Sequence, residues 1–401
     1  MKSWLRAYFL LLYTLRAMRE CLQMGRVEFV YFDAGGGHRA AATALRLVTE
    51  QQLQWDVHPM NLQELLDSID PVLKLSGLRL QDLYNWLLKR GWTWGTGFGL
   101  RVLQAAIRLY HQDQVRLLEE YWRKSRPALV VSLVPHFNRA IFESLRRVTP
   151  VTPLVTVLTD LADYPPHFWL ERQEQFFICG SERAAAQACS LGLREDQIYK
   201  TSGMILHPKF YQGIAVDRSA ERRRLGLDPD LPTGLVMFGG HGSDVMVKIA
   251  RRLEASRLNL QLILICGHNQ RLAAELRGIQ GHHRKYVEGF TTEVPYYMRL
   301  SDFFIGKPGP GSISEALAMK LPVIVERNAR TLPQERYNAD WVLAKQVGLV
   351  VRNFRPITHT VEELLDPANF ARYRSNAAAM NNQAVFEIPG MLREILGKAA
   401  P

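Results

Sequence analysis

Apolar residues along this chain gather in short blocks. The first half carries "VEFVYF" (27–32), "ALVVSLV" (128–134), "LVTVL" (154–158) and "QFFIC" (175–179). The second carries "GLVMFGG" (234–240), "LQLILICG" (260–267), "DFFIG" (302–306) and "LPVIVE" (321–326). Each block is nearly continuous in apolar residues, with helix-like spacing between blocks, as expected of parallel strands covered on both faces. "WDVHPM" (55–60) supplies a further strand. Both halves open with a strand, a glycine turn and a helix, "FVYFDAGGGH" and then "VMFGGHGSD". The pattern predicts two similar α/β domains in tandem.

The proline- and charge-rich interval 206–232 reads as their connection, with "ERRRLGLDPDLP" its solvated part. The tail after Pro367 is helical and polar and is expected to pack back on the first domain. Between 62 and 126 no strand appears. There Trp86, Trp92, Trp94 and Phe98 mingle with Lys89, Arg90, Arg101 and Arg108. The Trp/Gly part reads as an interfacial surface, and "LRVLQAAIRLY" (100–110) as a buried helix. No RNA-binding signature accompanies these aromatics, and no nucleic-acid partner is expected.

Composition narrows the class. The 401 residues exceed one ordinary core, and 47% hydrophobic with 22% charged content is globular. A formal charge of +11 favours an anionic partner: nucleic acid, an anionic lipid surface or a phosphorylated substrate. The four cysteines show no CxxC and no zinc spacing, so free thiols in a reducing compartment are expected. Residues 1–24 are apolar but broken by Arg6 and Arg16, too short to span a bilayer. They read equally as an interfacial helix or as an over-extended start before "MGRVEFVYF".

Candidate chemistry clusters at strand ends. Gly35, Gly37 and Ala40 satisfy a G-x-G-x-x-A pattern, a weak dinucleotide signal. A ribose-binding acid belongs at the end of the second strand, whereas Asp56 stands at its beginning. What remains is a backbone that a ligand can approach, a helix opening near His38, and a histidine able to act as a base. A histidine capping its own turn explains the motif equally well. His136 and Asn138 follow the next strand, and Asp160 the one after, trailed by Asp163, His167 and Trp169. Strand-end turns explain each singly. Together they predict that His38, His136 and Asp160 share one edge of one sheet.

In "IGKPGPGSISEALAMKLPVIVERN" (305–328) a glycine-proline loop feeds a helix, a natural diphosphate site. Ser312 and Glu315 form S-x-x-E, so Glu315 reads either as a capping box or as a carboxylate for ribose hydroxyls. Gln334, Glu335 and Asn338 share helical spacing and read as a solvated face.

"DAGGGHRAAATAL", "TVLTDLADYPPHFW", "SERAAAQACSLGLREDQIYKTSGMILHPKF", "ICGHN" and "EGFTTEVPYYMRLSDFFIGKPGPGSISEALAMKLPVIV" together resemble monogalactosyldiacylglycerol synthases and related processive diacylglycerol glycosyltransferases. The peptidoglycan N-acetylglucosaminyltransferase is a more distant relative. The resemblance runs from about Val27 to Val351 and implies an α/β chain of GT-B fold, two Rossmann-like parallel-sheet domains facing across a cleft. The implied domains are an acceptor-binding 25–210, with the helical insertion 62–126, and a UDP-sugar-binding 211–401 with C-terminal helices.

Residue by residue, the resemblance implies His38 or Asp160 as catalytic base, and Gly36, Gly37, His136 and Asn138 on the acceptor side. It implies donor contacts from Gly239, Gly240, Ser243, Gly267, Asn269, Phe290, Lys307, Gly309, Pro310, Gly311, Ser312, Glu315, Gln334 and Glu335. Two departures stand out: Pro308, where relatives commonly carry alanine, and the Tyr164-Pro165-Pro166 run. The implied activity is inverting transfer of galactose or glucose from a UDP-sugar to a diacylglycerol-type lipid at an anionic membrane surface. It needs no cofactor and no obligatory metal, and places the protein peripherally on the inner face of the membrane. The rival expectations are a UDP-sugar epimerase or hydrolase acting on a soluble substrate, and a non-catalytic lipid- or nucleotide-sugar-binding regulator.

Overall fold

The computed structural model describes residues 26–33, 36–69, 104–105, 107–213, 215–329 and 331–399. Residues 1–24, Gly35 and the tryptophan-rich stretch through Arg101 lie outside the described residues.

The first sheet comprises β1 (Val27–Tyr31), β2 (Val57–Asn61), β3 (Leu129–Ser132), β4 (Leu154–Val157), β5 (Phe176–Cys179) and β6 (Ile198–Lys200). They lie in the order β2-β1-β3-β4-β5-β6, every pairing parallel. Its helices are α1 (Gly37–Leu53), α2 (Leu62–Leu66), α3 (His111–Ser125), α4 (Asn138–Val148) and α5 (Glu182–Ser190). α6 (Arg218–Arg224) leads into the second sheet.

That sheet comprises β7 (Thr233–Met237), β8 (Gln261–Ile265), β9 (Lys285–Glu288), β10 (Phe303–Gly306), β11 (Val323–Glu326) and β12 (Gly348–Val351). Its order is β12-β11-β10-β7-β8-β9, again all parallel. Its helices are α7 (Val245–Glu254), α8 (Gln270–Gly278), α9 (Val294–Arg299), α10 (Pro310–Ala318), α11 (Pro333–Lys345), α12 (Ile357–Leu365) and α13 (Pro367–Ala379), and the chain closes with α14 (Ala384–Ala399).

The second order is the classic dinucleotide-binding arrangement. The first is the flavodoxin-like order with one more strand. Strand order reverses at β1/β3 in one sheet and at β7/β10 in the other, and such sheets take ligands at the carboxyl ends of the strands flanking that point. Both glycine turns stand there.

The central strands are wholly buried, in keeping with their unbroken apolar runs. The strands not foreseen, β6, β9 and β12, all lie at sheet edges and carry polar or half-buried residues. β2, also an edge, tolerates Pro59 because an edge strand need not donate every backbone N–H.

Two expectations about solvent are corrected. Arg222, in the "solvated" ERRR run, is 3% exposed and donates to Asp302 and to the carbonyls of Leu300 and Pro229. It pins α6 to the start of β10. Conversely Leu109, in the segment expected to be buried, is 79% exposed.

The C-terminal tail divides. α12 and α13 pack in the second domain through Ile357, Val361, Tyr373 and Ala377. α14 returns to the first domain, where Ile388, Leu392 and Ile395 join Val27, Phe29 and Leu45 in one core. The crossing at 382–383 is tied to Ser202–Met204. Asn382 Nδ2 donates to the Met204 carbonyl at 2.8 Å, and Ser202 Oγ accepts from Gln383 N–H at 2.7 Å. Gly203 is obligatory here, since a Cβ would stand 2.6 Å from the Asn382 side chain. As packed, the first domain therefore includes α14, which the 211–401 division leaves out.

Candidate active site

In the first domain three adjacent strands deliver three side chains to one edge. β1 leads to His38 in the first turn of α1, β3 to His136, and β4 to Asp160. Gly36 adopts the left-handed φ of 81° that starts α1, and the space beside Gly36 and Gly37 is open.

The three side chains meet around Phe168 and Trp169. The Trp169 indole Nε1 donates to Asp160 Oδ2 at 2.9 Å, and its ring lies 5.8 Å from that of His38. Phe168 stands edge-on to His136 at 4.3 Å. Asp163 shapes this loop by accepting backbone N–H groups from Trp169 at 2.6 Å and His167 at 3.1 Å.

The surroundings set the protonation states. Burial pushes His38 down to about 4, against a hydrogen bond to the Leu133 carbonyl, so the ring is neutral at pH 7. Its Nδ1 lies 2.9 Å from the Thr159 hydroxyl. His136 is likewise pushed down to about 4 by burial, and its Nε2 is buried with no hydrogen-bond partner among the described residues.

Asp160 goes the other way. Burial pushes it up to about 7; Trp169 opposes the shift, Glu335 adds to it, and Lys307 opposes it. Glu335 and Lys307 belong to the second domain, so the fields of both domains meet at this carboxyl. A carboxyl that changes charge near neutral pH suits a general base.

The second domain's edge is built from backbone. Gly239 and Gly242 take φ of 78° and 59° in the loop after β7. Gly267, at φ 59°, lets the loop after β8 touch it, for a Cβ there would lie 2.1 Å from the Gly240 carbonyl oxygen. His268 N–H donates to that same oxygen at 2.9 Å. The His268 ring then stacks on Phe290 at 4.0 Å and 15°, leaving Phe290 56% exposed.

After β10 the chain turns through Lys307–Gly309 into α10. Lys307 Nζ donates to Glu335 Oε1 at 2.9 Å, and Asn338 Nδ2 to the Pro308 carbonyl at 2.8 Å. α11 thereby holds the glycine-proline loop in place. Glu335 and Asn338 are buried, which corrects their reading as a solvated face: the loop, not water, covers them.

The capping-box reading of Glu315 fails on helix register. α10 starts at Pro310 with Gly309 as its N-cap and no side-chain cap, so Ser312 and Glu315 already lie inside it. The Glu315 side chain makes no hydrogen bond or ion pair to another described residue, and burial alone pushes it up to about 7. A carboxyl raised by burial and without a side-chain partner is a candidate binding group.

Comparison with known proteins agrees with this geometry. Residues 235–391 match the Glycosyltransferase family 28 C-terminal domain. Monogalactosyldiacylglycerol synthase from Spinacia oleracea is 29% identical over 391 residues, covering 92% of this chain and 72% of that protein. Monogalactosyldiacylglycerol synthase 1 from Arabidopsis thaliana is 29% identical, covering 93% of this chain and 71% of that protein. Among solved structures, the UDP complex of S. aureus MnaA superposes with a TM-score of 0.60 at 16% identity, over 93% of this chain and 97% of that one. Acinetobacter baumannii MurG gives 0.58 at 11% identity, over 92% and 99%. The chain is a glycosyltransferase of GT-B fold.

Within this glycosyltransferase the foreseen residues sort into two groups. His38, His136 and Asp160 gather around Phe168 and Trp169, and Lys307 and Glu335 lie near enough to act on the Asp160 carboxyl. Gly36, Gly239, Gly240 and Gly309 stand in the loops at the two sheet edges, while Gly37 and Gly311 lie in the first turns of α1 and α10. Asn138 does not belong on the acceptor side. It is 1% exposed, its amide nitrogen donates to the Val134 and Trp169 carbonyls, and its oxygen accepts from Ser132 and Thr156 hydroxyls. That side chain clamps β3, β4 and the Trp169 loop and keeps no hydrogen-bonding capacity for a ligand.

Asn269 Oδ1 caps α8 by accepting from Leu272 N–H at 3.0 Å, and Ser243 Oγ accepts from Val245 N–H at 3.3 Å. Their contribution at the donor edge is loop shape. Trp169, named from sequence only as a member of the loop after Asp160, bonds to that carboxyl, and Thr159, which meets His38, was not singled out.

Proposed function

We propose that the protein transfers a hexose from a UDP-sugar, with inversion, to the hydroxyl of a diacylglycerol-type lipid. The observation that carries this reading is the meeting of Asp160 on the first domain with the Lys307–Glu335 pair on the second, where an acceptor hydroxyl and a donor sugar would face each other.

In the step, the acceptor oxygen bonds to the anomeric carbon while its proton passes to the Asp160 carboxylate. The bond from that carbon to the diphosphate oxygen breaks, and UDP departs with the electron pair. The oxygen of Asp160 not bonded to Trp169 has no partner among the described residues and serves as the proton's destination. His38, neutral and held through Nδ1 by the Thr159 hydroxyl, positions the acceptor rather than taking the proton.

The leaving diphosphate is stabilised by backbone N–H groups of the loop after β7, the N-terminus of α10 and the Lys307 charge. Glu315 accepts the ribose hydroxyls, and the exposed face of Phe290 stacks on the base. An anionic membrane surface holds the basic protein where the lipid resides, on the inner face of the membrane. Among the described residues no helix is long and apolar enough to cross a membrane. The plant relatives' name supplies the lipid and galactosyl classes.

The test is turnover of labelled UDP-galactose, UDP-glucose and UDP-N-acetylglucosamine with diacylglycerol vesicles. A glycolipid from one of them is expected. Folded protein that yields none overturns the proposal, and conversion of the nucleotide-sugar without lipid would favour the epimerase or hydrolase reading.

A further inference from the structure

A second cluster lies away from the cleft, at the opposite edge of the second sheet. Glu254 ends α7, and His282 and His283 precede β9. Their ligand-capable atoms all lie within 4.8 Å of one another. These are the amino ends of the strands, whereas the glycine loops stand at the carboxyl ends, so the cluster has no access to the reacting atoms.

The bonding around it is unusually one-sided. Glu254 Oε1 accepts the backbone N–H groups of His282 and His283, the latter at 3.1 Å. Gly281 is required for this, because a Cβ would fall 1.8 Å from that oxygen. Oε2 faces His283 Nδ1 at 3.8 Å, too far for a hydrogen bond. His283 is 8% exposed, and its Nδ1 is buried with no hydrogen-bond partner among the described residues. Its Nε2 lies 2.6 Å from the Leu258 carbonyl oxygen, which can only accept, so Nε2 carries a hydrogen.

With Nε2 turned to that carbonyl, Nδ1 is the ring atom that faces the Glu254 carboxylate. A proton on Nδ1 would leave an ion pair too long for a hydrogen bond, whereas a metal ion between the two atoms would bond to both. A histidine whose far nitrogen donates to a backbone carbonyl is the usual way a metal-binding ring is oriented. His282, with its side chain 63% exposed, lies tilted at 48° beside the His283 ring, centroids 4.1 Å apart, and places its Nδ1 3.2 Å from Glu254 Oε1.

We propose that Glu254, His282 and His283 bind one divalent transition-metal ion of the zinc class. Two imidazoles and a carboxylate leave a fourth tetrahedral position for water. Ligands about 2.1 Å from such an ion stand about 3.4 Å apart, so the cluster must contract by about an ångström. The exposed His282 ring can supply that movement. The neighbouring cations do not occupy the site: Arg284 donates to the Gly226 carbonyl and Lys285 to that of Ile279. The ion joins the end of α7, the Leu258 turn and the strand-leading loop of β9, and acts as a staple for an otherwise thin sheet edge.

The test uses the full, untagged chain stripped with a chelator, titrated with Zn²⁺ against a chromophoric competitor and with Co²⁺ followed by its d–d absorption. One ion per chain is expected, with a rise in Tm in Zn²⁺ but not in Mg²⁺, and unchanged turnover of sugar donor. His282→Ala, an exposed change that leaves the metal-free Tm unaltered, should weaken Zn²⁺ binding at least tenfold and remove the Co²⁺ spectrum. Glu254→Gln should do the same. No stoichiometric binding, or binding equal in wild type and His282→Ala, overturns the proposal.

Discussion

The Trp169 indole N–H holds one oxygen of Asp160 at 2.9 Å, across a nine-residue loop that carries no regular secondary structure. That bond holds the carboxyl in a buried wall facing the second domain; burial pushes Asp160 up to about 7, and the Trp169 bond tempers the rise.

Asp160→Asn should lower kcat by about 10²–10⁴ while leaving UDP binding within a few-fold, since the change removes a proton acceptor and keeps the hydrogen bond from Trp169. Wild-type activity should rise with pH along a limb near 7. His38→Ala should lower kcat/KM yet keep that limb. Pre-steady-state turnover across pH 5.5–8.5 reads both, and loss of the limb in His38→Ala would move the base to His38.

Lys307→Met and Glu335→Gln should shift the limb in opposite directions. Lys307 favours the Asp160 carboxylate, so its removal moves the limb up; Glu335 disfavours it, so its neutralisation moves the limb down. Lys307→Met should also cost about 1–3 kcal/mol in stability, because Glu335 is left charged and buried beside a half-exposed former partner. The pH–rate profiles and urea midpoints of the two variants provide the check.

Glu315→Gln should stabilise the ligand-free chain and weaken UDP binding. Folding raises this carboxyl from 4.5 to about 7, so its charging opposes folding. The penalty is absent below about pH 4.5, grows through pH 7 and is complete above it. Tm should therefore rise at pH 8 and change little at pH 4.5, while calorimetry with UDP shows reduced affinity. A fall in Tm with unchanged affinity would return Glu315 to a structural role.

Asn138→Ala should cost about 2–4 kcal/mol, read from urea denaturation, since two buried hydroxyls and two carbonyls lose their partner together. Any loss of activity should follow the loss of folded protein, in contrast to Asp160→Asn.

Much of this architecture was legible in the chain. The central strands announce themselves as unbroken apolar runs, and parallel-sheet geometry alone brings the residues after β1, β3 and β4 to one edge. The edge strands were not legible: "IYK", "KYVE" and "GLVV" bury too little to leave a run. Side-chain roles were lost where they depend on contacts between distant segments. Asn138 looks like a free strand-end amide until Thr156 and Trp169 close on it. Glu335 and Asn338 look solvated until the loop at Pro308 covers them. The S-x-x-E at 312–315 misled because Pro310 starts its helix two residues early.

The return of α14 gives the two domains two covalent connections, one through 205–217 and one through 380–383, anchored to each other at Ser202–Met204. A joint with two parallel straps bends freely but resists twisting, so the cleft should open and close like a book about one line. It also means that the first lobe is built from two separate lengths of chain, while the second is one continuous stretch. Cutting near residue 210 would strip the first lobe of the helix that covers α1, and separate expression would need the 384–399 segment supplied back.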